Sequence, residues 1–426
     1  MLFLCAILSG IMLTASFPPH NMTWMAWVAL IPLLLSIEKS GYTQAFRLGL
    51  ICGFTHYLSL IYWIYIVLHK YGFLNPLISS SCVVLLCFYM AFYKGIFSLL
   101  YIMIKKIRFG AIFGGAVWVG LEYVMGRALS GFPWCLLGYS QFQKIVLIQI
   151  ADLFGVYGIS FLIVIVNILI SRILLNQFAR KKAQIGWEFV IITSLIGATI
   201  TYGYYSLNWN KGSKEQKKLK IAIIQGNIDQ SVKWNPVYQE TTIEKYESLT
   251  KSALLKRPSI IIWPETAVPF FFQENELPLA NRIKEIAKKS GSWFIFGAPA
   301  YKEKDKHTVY FNRAYVLSPQ GKIADYYDKV HLVPFGEYVP LKKIFPFFSR
   351  LIQSTGEFES GDSLKPIKIK DLSAGIIICF EAIFPDISAF LVREGARILI
   401  NLTNDAWFGQ SSAPYQHLAM TVFRAV

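Results

Sequence analysis

The chain has 426 residues, of which 54% are hydrophobic, and its formal net charge is +16. A water-soluble chain of this composition would aggregate, so the composition favours a basic membrane protein. The acidic residues are unevenly distributed, because residues 1–210 contain only four of them: Glu38, Glu122, Asp152 and Glu188.

Apolar stretches of membrane-spanning length recur through the N-terminal half. We predict seven spans, at residues 2–16, 23–37, 45–68, 76–104, 109–126, 154–171 and 187–207. With the N-terminus in the cytoplasm, nine Lys and Arg residues lie in inside loops and three in outside loops, as the positive-inside rule requires. The odd number of spans then places everything after Leu207 on the extracytoplasmic side. These loops and an anionic lipid surface account for the basic charge, and nucleic acid is not a predicted partner.

A basic, polar linker at residues 208–219 separates this transmembrane domain, residues 1–207, from a second domain at residues 220–426. In the second domain, short β-type runs alternate with polar helical stretches. We predict strands at 220–225, 259–263, 293–297, 309–317, 375–379 and 397–401, and helices at 237–255, 277–289 and 384–395. Such alternation indicates a layered α/β domain with helices on both faces.

Cys379 is the only cysteine after the predicted spans, and it follows an apolar run at 376–378 that is typical of a buried strand. The other five cysteines lie in or next to spans, where a free cysteine behaves as a small hydrophobe. No disulfide framework is therefore predicted. In an oxidising compartment, Cys379 remains either a reactive thiol or a buried free one.

Two further segments have the pattern of strand ends: 261–265 presents the carboxylate of Glu265, and 326–331 presents the ammonium of Lys329. A thiol attacks an acyl carbon only as the thiolate, so a catalytic cysteine needs a proton acceptor and a nearby cation. Glu265 is suited to be the base. Lys329 is suited to favour the thiolate and to face the oxyanion, together with the backbone N–H of Phe380. The structural alternatives are a core thiol at Cys379, a surface acid at Glu265 and a solvated charge at Lys329.

The sequence resembles the nitrilase superfamily, and most closely its membrane-bound branch, the bacterial apolipoprotein N-acyltransferases. The resemblance rests on segments in both halves of the chain, at residues 122, 131–134, 225–228, 233–234, 263–265, 328–340, 379–381 and 401–409. It implies a multi-span α-helical membrane domain followed by an α/β nitrilase-like domain, an α-β-β-α sandwich. Since the family's catalytic domain continues with more strands and a last membrane span, we expect this sequence to be truncated at its C-terminus.

The resemblance implies an enzyme that transfers an acyl chain from a membrane phospholipid to the N-terminal α-amine of the diacylglyceryl cysteine of an apolipoprotein. Glu265, Lys329 and Cys379 are then the catalytic residues of a ping-pong route through a thioester. Glu337 and Glu381 are expected to support them. For Glu381, capping of the following helix is the alternative.

Four aromatic residues are candidate substrate contacts, although packing in the fold is the alternative: Trp234, Phe335, Tyr338 and Trp407. Aromatic residues at 269–272, and aromatic and basic residues at 341–351, are suited to an interfacial arm, although a place in the core is the alternative. The expected location is the bacterial inner membrane, with the catalytic domain on the periplasmic side. We predict a monomer that needs no cofactor. No metal is expected either, because no group of His and Cys residues has the spacing of metal ligands.

Three other functions remain open from the sequence. A membrane-tethered nitrilase-like amidase or hydrolase would use the same three residues with water as the second nucleophile. An inactive remnant would only bind lipid or lipoprotein. A transporter is least favoured, because the spans offer few polar residues to line a pathway.

Overall fold

A computed structural model of the chain describes residues 1–178, 186–209, 219–274, 277–304, 307–339 and 357–426. The chain divides into two compact units. The first comprises Met1–Ile66, Asn75–Lys214 and Gln410–Val426. The second comprises Val67–Leu74 and Glu215–Gly409.

The first unit is helical from its N-terminus onward. Its helices are α1 (Leu2–Ala15), α2 (Ile31–Ile37), α3 (Tyr42–Leu60), α4 (Trp63–Ile66), α5 (Pro76–Ile104), α6 (Gly110–Met125), α7 (Ile145–Ile148), α8 (Ala151–Phe178) and α9 (Gly186–Trp209). Local sequence sets some of these boundaries: α5 begins with a proline, and the Asn75 side chain before it accepts a hydrogen bond of 2.8 Å from the Leu77 N–H.

Each of the seven predicted spans falls on helical segments of this unit. Within the described residues, three helices are long and apolar enough to cross a membrane: Pro76–Ile104, Ala151–Gln177 and Gly186–Asn208. A fourth span results if Tyr42–Leu60 and Trp63–Tyr71, which are bent by 48°, are one broken span. The other three segments contain shorter apolar helices: Leu2–Ala15, Thr23–Ile37 and Gly110–Met125. The multi-span helical architecture is confirmed, whereas the number seven stays a prediction.

Small residues allow α3 and α5 to pack closely. A Cβ atom built on Gly49 would lie 2.4 Å from the Lys94 carbonyl oxygen, and one on Gly53 would lie 2.8 Å from the Ala91 Cα. Both distances are too short for any side chain. Such small-residue contacts let backbones approach where the surrounding lipid provides no hydrophobic driving force.

The described residues of the second unit contain the strands and four more helices. The helices are α10 (Gln230–Lys233), α11 (Gln239–Leu254), α12 (Pro278–Ser290) and α13 (Pro385–Arg393). The strands are β1 (Ile221–Ile223), β2 (Ile260–Ile262), β3 (Trp293–Lys304), β4 (His307–Leu317), β5 (Ile323–Asp328), β6 (Ile367–Ile369), β7 (Leu372–Ile378) and β8 (Ile398–Leu402). One sheet has the order β1-β2-β3-β4-β5, and the other has the order β6-β7-β8.

The first three strands of the larger sheet are parallel, and β3, β4 and β5 pair antiparallel. In the smaller sheet β6 and β7 are antiparallel, and β7 and β8 are parallel. A turn at residues 318–321 joins β4 to β5. Gly321 has a φ of +74° there, and its N–H donates to the Ser318 carbonyl at 2.9 Å.

The two sheets pack face to face, because alternate side chains of a strand point to opposite sides. Ile261 of β2 joins a cluster with residues of α11 and α12, whereas Ile260 and Ile262 pack with Ile376 and other residues of the smaller sheet. On its outer face, the smaller sheet packs its β7 residue Ile377 in a further cluster that includes α13. The layers therefore follow the predicted α-β-β-α order.

The last helix of the chain, α14 (Ala413–Val422), clusters with the helical unit and not with the α/β unit, to which the sequence analysis assigns it. Its Gln416 side chain explains this placement. The Gln416 Oε1 accepts hydrogen bonds from the indoles of Trp63 and Trp134 at 3.1 and 2.8 Å, and its amide donates to the Leu60 carbonyl at 3.1 Å. A buried side chain with this many partners fixes the helix in place.

The proposal of an interfacial arm at residues 269–272 is wrong. Phe270 and Phe272 are buried in the cluster formed by the larger sheet with α11 and α12. These two side chains thus hold the fold and are not available to lipid, whereas Phe271 is partly buried and packs against Tyr301 and Tyr310. The second predicted arm, residues 341–351, lies outside the described residues.

Candidate active site

Three strand ends of the α/β unit bring the predicted catalytic residues together. β2 ends three residues before Glu265, β5 ends directly before Lys329, and β7 ends directly before Cys379. The larger sheet supplies the carboxylate and the ammonium, and the smaller sheet supplies the thiol. Since the sheets pack face to face, the three groups reach one cluster.

Cys379 occupies a tight turn. It is the first residue of a short 3-10 turn, Cys379–Ile383, and its φ of +51° lies in the left-handed region. Burial raises the pKa of the Cys379 thiol well above its usual value; the charge of Glu265 acts in the same direction, and that of Lys329 opposes it. A hydrogen bond with the Thr403 side chain also favours the thiolate.

The Glu265 side chain is buried, so the surface-acid interpretation is wrong. Its Oε1 accepts a hydrogen bond of 2.8 Å from the Asn312 amide, and its Oε2 accepts one of 3.0 Å from the Asn404 N–H. The Lys329 Nζ lies 3.9 Å from Oε1. Burial raises the pKa of Glu265 above its usual value, while the Lys329 charge opposes the shift. A carboxyl group with a raised pKa is suited to exchange protons near neutral pH.

Lys329 is only 1% exposed, so it is not a solvated charge. Its Nζ donates to Glu337 at 2.9 Å, and the Asn312 amide links Glu337 to Glu265 through two bonds of 2.8 Å. Desolvation disfavours the ammonium, but the charges of Glu337 and Glu265 outweigh it and raise the pKa of Lys329. The lysine therefore stays protonated and presents a fixed positive charge.

Glu381 joins the smaller sheet to the loop that follows β5. One carboxylate oxygen accepts from the Tyr327 hydroxyl at 2.8 Å and from the N–H groups of Val330 and His331 at 2.8 and 3.0 Å. The other accepts from the Ile378 N–H at 2.7 Å. These bonds tie the lysine-bearing loop to the cysteine-bearing turn, whereas the predicted alternative placed Glu381 at the start of the following helix.

Two buried residues of the cluster were not given a role by the sequence analysis. Asn312 lies on β4 in a run of mostly apolar and aromatic residues, and its position within a strand gives a weak signal. Lys233 is buried and its Nζ donates to the Thr266 hydroxyl at 2.6 Å and to the Glu265 carbonyl at 3.3 Å. Burial lowers the pKa of Lys233 to about 8. Its only sequence signal is its place beside Trp234 in the motif that carries the family resemblance.

The predicted substrate contacts Trp234 and Trp407 are both partly buried. Trp234 follows α10, and among the described residues its indole N–H is buried without a hydrogen-bond partner. Trp407 stands edge-on to Tyr71, with 6.0 Å between ring centroids. Contact of either residue with substrate stays a prediction.

Phe335 and Tyr338 flank Glu337 in a tight turn, in which the Phe335 N–H donates to the Tyr338 carbonyl at 2.8 Å. Phe335 has a φ of +61°. Phe380, next to the cysteine, is buried, and its ring lies edge-on to Phe384 at 5.2 Å. The side chain of Phe380 thus packs in the fold, and a role of its backbone N–H at an oxyanion stays a prediction.

Comparisons with known proteins match both halves of the chain. The family model for the apolipoprotein N-acyltransferase N-terminal domain matches residues 9–169, and that for carbon-nitrogen hydrolase matches residues 220–426. A protein from Geobacter metallireducens named apolipoprotein N-acyltransferase is 42% identical over 427 residues, which cover 100% of this chain and 81% of the relative. Relatives of the same name from Wigglesworthia glossinidia brevipalpis and Pasteurella multocida are 32% and 30% identical, covering 83% and 81% of their lengths and 99% and 100% of this chain.

Solved structures match part of the chain at lower similarity. A carbon-nitrogen hydrolase from Helicobacter pylori is 20% identical with a TM-score of 0.34, covering 49% of this chain and 68% of that protein. An amidase from Nesterenkonia sp. is 15% identical with a TM-score of 0.32, covering 46% and 71%. At this distance neither structure indicates a substrate.

Proposed function

The chain belongs to the apolipoprotein N-acyltransferase family, and from this membership we propose that it transfers an acyl chain from a membrane phospholipid to the N-terminal α-amine of the diacylglyceryl cysteine of apolipoproteins. One observation carries the proposal: the cluster that the buried Glu265 and Lys329 form with the partly buried Cys379. It combines a base, a fixed cation and a thiol, which are the groups needed for acyl transfer through a thioester.

In the first half-reaction, Glu265 takes the proton of the Cys379 thiol, and the thiolate attacks the ester carbonyl carbon of the phospholipid. A C–S bond forms, and the oxyanion is stabilised by the Lys329 ammonium and the backbone N–H of Phe380. The ester C–O bond then breaks. Glu265 returns the proton to the departing alkoxide, so a lysophospholipid leaves and the acyl chain remains on the cysteine.

In the second half-reaction, the α-amine of the acceptor attacks the thioester and gives up a proton to Glu265. A C–N bond forms, and collapse of the oxyanion breaks the C–S bond. The Cys379 thiolate recovers the proton from Glu265, which restores the resting enzyme. Both halves use one base, one cation and one nucleophile.

The proton balance between Glu265 and Cys379 supports this route. Burial raises both pKa values, so a charged form on either residue is disfavoured unless the Lys329 ammonium accompanies it. A single proton can then pass between the two side chains without a large change in net charge. Glu337 and Asn312 would keep the ammonium and the base in register during this exchange.

We further propose that the protein resides in the bacterial inner membrane, with residues 1–207 as the transmembrane domain, 208–219 as a linker and 220–426 as a catalytic domain on the periplasmic side. The apolar helices make it a multi-pass membrane protein. The excess of Lys and Arg in alternate loops supports the orientation. A monomer suffices for the proposed chemistry, because one chain supplies all three catalytic groups.

Intact-protein mass spectrometry tests the proposal most directly. The chain purified in detergent is incubated with phospholipid, beside Cys379→Ala and the matched control Cys5→Ala, whose thiol lies in α1. We expect a fatty acyl adduct that hydroxylamine removes on the native chain and on Cys5→Ala, but not on Cys379→Ala. Addition of a diacylglyceryl-cysteine peptide should then discharge the adduct as an amide.

Two outcomes would contradict the proposal. An adduct on Cys379→Ala would show that another group accepts the acyl chain. Release of free fatty acid at the same rate with and without the peptide would assign the chain to hydrolysis, with water as the second nucleophile.

A further inference from the structure

A large apolar groove lies in the helical unit between α6, α8 and α9. Its volume is about 940 Å³, within the range of ligand sites in proteins. The walls carry aliphatic and aromatic side chains, and Gly120 of α6 and Gly158 of α8 widen it. Only 17% of the most apolar stretch of α9 is buried inside the protein, so most of the surface of this helix is exposed to the surrounding medium.

One end of the groove carries a cation and hydroxyl groups. The rings of Tyr123 and Tyr157, which both line the groove, lie 6.0 Å apart. Arg127, two residues beyond the end of α6, places its guanidinium 3.7 Å above the Tyr123 ring and also interacts with the Tyr157 side chain. Tyr202, which also lines the groove, donates a hydrogen bond to the carboxylate of Asp152. The Arg127 side chain is exposed and held by two groove tyrosines.

These features match the two parts of a phospholipid. Helices of this apolarity lie in a bilayer. An empty groove would cost the dispersion contacts of the side chains that line it. Water would not fill it, because the lining offers few polar partners. An acyl chain fills such a space. A guanidinium at the end of the groove is the preferred side-chain partner of a phosphate group.

We propose that the groove between α6, α8 and α9 binds one membrane phospholipid, with an acyl chain between the helices and its phosphate at Arg127. The described residues that line the groove all belong to the helical unit and include no nucleophile of the catalytic cluster, so the proposed lipid is bound there and not consumed. The site is therefore additional to the acyl-transfer reaction.

Two substitutions should fill the groove from opposite walls. A Cβ atom on Gly120 meets no other atom within 4 Å, so Gly120→Leu projects into open space. Ala198→Leu does the same from α9. Gly197→Leu is the matched control. Gly197 is the neighbour of Ala198 on α9, and a Cβ atom there also meets no other atom within 4 Å, but Gly197 does not line the groove.

Native mass spectrometry can count the lipid. The full chain with Cys379→Ala, which prevents any acyl-enzyme, is placed in nanodiscs of phosphatidylethanolamine and phosphatidylglycerol and then released into mild detergent. We expect one retained phospholipid on this protein and on its Gly197→Leu form. In Gly120→Leu and Ala198→Leu its occupancy should fall by about tenfold, as lost packing of a few chain carbons predicts. Circular dichroism of each variant checks that the helices are intact.

Arg127→Gln tests the phosphate contact separately. We expect phospholipid occupancy to fall by about fivefold, while retention of diacylglycerol, which lacks a phosphate, is unchanged. Retention of the phospholipid by both filling variants, or its equal loss from Gly197→Leu, would overturn the proposal. A retained mass that matches detergent or a second copy of the chain would also overturn it. Because Cys379 is absent throughout, none of these outcomes depends on the acyl-transfer proposal.

Discussion

The two sheets of the α/β unit contribute to the site in different ways. The larger sheet delivers charges that neutralise one another, because Lys329 is held between Glu337 and Glu265, with Asn312 bridging the two carboxylates. The smaller sheet delivers a neutral thiol, and the Glu381 carboxylate that follows β7 mainly accepts hydrogen bonds from backbone N–H groups. One side of the site is thus built from ion pairs and the other from a hydrogen-bonded frame.

This difference suggests a division of work. The ionic side sets the electrostatic potential at the Cys379 thiol and at the oxyanion. Substitutions there should therefore reduce the rate of acyl-enzyme formation. The hydrogen-bonded side fixes the position of the Cys379 thiol. Substitutions there should therefore affect the free energy of unfolding more than the rate of acyl-enzyme formation. Variants on the two sides should therefore differ in which quantity changes most.

The largest effect is expected for Lys329→Met on the ionic side. Loss of the ammonium removes oxyanion stabilisation, so acyl-enzyme formation should fall by about 10²–10³-fold. It also leaves Glu337 and Glu265 buried without their cation, which should cost about 3–5 kcal/mol of stability. Stopped-time mass spectrometry of the acyl adduct and thermal unfolding in detergent measure the two effects.

A double variant separates these two consequences of removing the lysine. Lys329→Met with Glu337→Gln removes one carboxylate with its partner, so part of the stability should return while the rate stays low. Lys302→Met is the surface control, since this lysine lies 3.4 Å from Asp328 but is 41% exposed, and it should change stability by about 0–1 kcal/mol. Recovery of the rate in the double variant would contradict an electrostatic role for Lys329.

A smaller effect is expected for Glu381→Gln on the hydrogen-bonded side. An amide keeps one oxygen but turns an NH₂ group toward a backbone N–H, so at least one buried donor loses its acceptor. Unfolding should become easier by about 2 kcal/mol, and acyl-enzyme formation should fall by roughly tenfold. Glu394→Gln, at an exposed site after α13, is the control. An unchanged melting temperature with a large loss of rate would place Glu381 in the chemistry instead of the frame.

The smallest effect is expected for Lys233→Met, and it concerns pH dependence. The positive charge of Lys233 lowers the pKa of Glu265, so its removal raises that pKa further. Glu265 must be ionised to accept the thiol proton, and the acid limb of acyl-enzyme formation should therefore move to higher pH. Lys233→Arg keeps the charge and should leave the limb in place.

The Lys233 effect also has an upper limit in pH. The native lysine loses its own proton near its pKa of about 8, so native and Lys233→Met profiles should converge above that value. An acid limb that moves to lower pH in Lys233→Met would contradict the assigned direction.

Much of the α/β unit could be predicted from the sequence, because its strands are apolar and bounded by turn residues. Predicted strands at 259–263 and 397–401 lie within one residue of the observed β2 and β8. Strand β6 was not predicted, since the charged Lys368 at its centre breaks the continuous apolar run that marks β2. The position of α14 was also not predictable, because it depends on Gln416 meeting two indoles far away in the chain.

The same reasoning divides the site residues. Glu265, Lys329 and Cys379 each follow a strand, a position that a sequence pattern displays directly. The contacts of Glu381 join positions about 50 residues apart, and no local pattern encodes them. Asn312 is a polar residue inside a strand, and only its partners distinguish it from a solvent-facing side chain.

The left-handed backbone conformation at Cys379 has a consequence for the stability of the protein. A residue with a Cβ atom is strained at a φ of +51°, by about 1 kcal/mol, whereas glycine is not. A glycine at this position would relax the turn and yet leave no sulfur to carry an acyl chain. The backbone conformation at residue 379 therefore favours glycine for stability, whereas the proposed chemistry requires cysteine. Selection for stability alone would thus favour a substitution that removes the nucleophile.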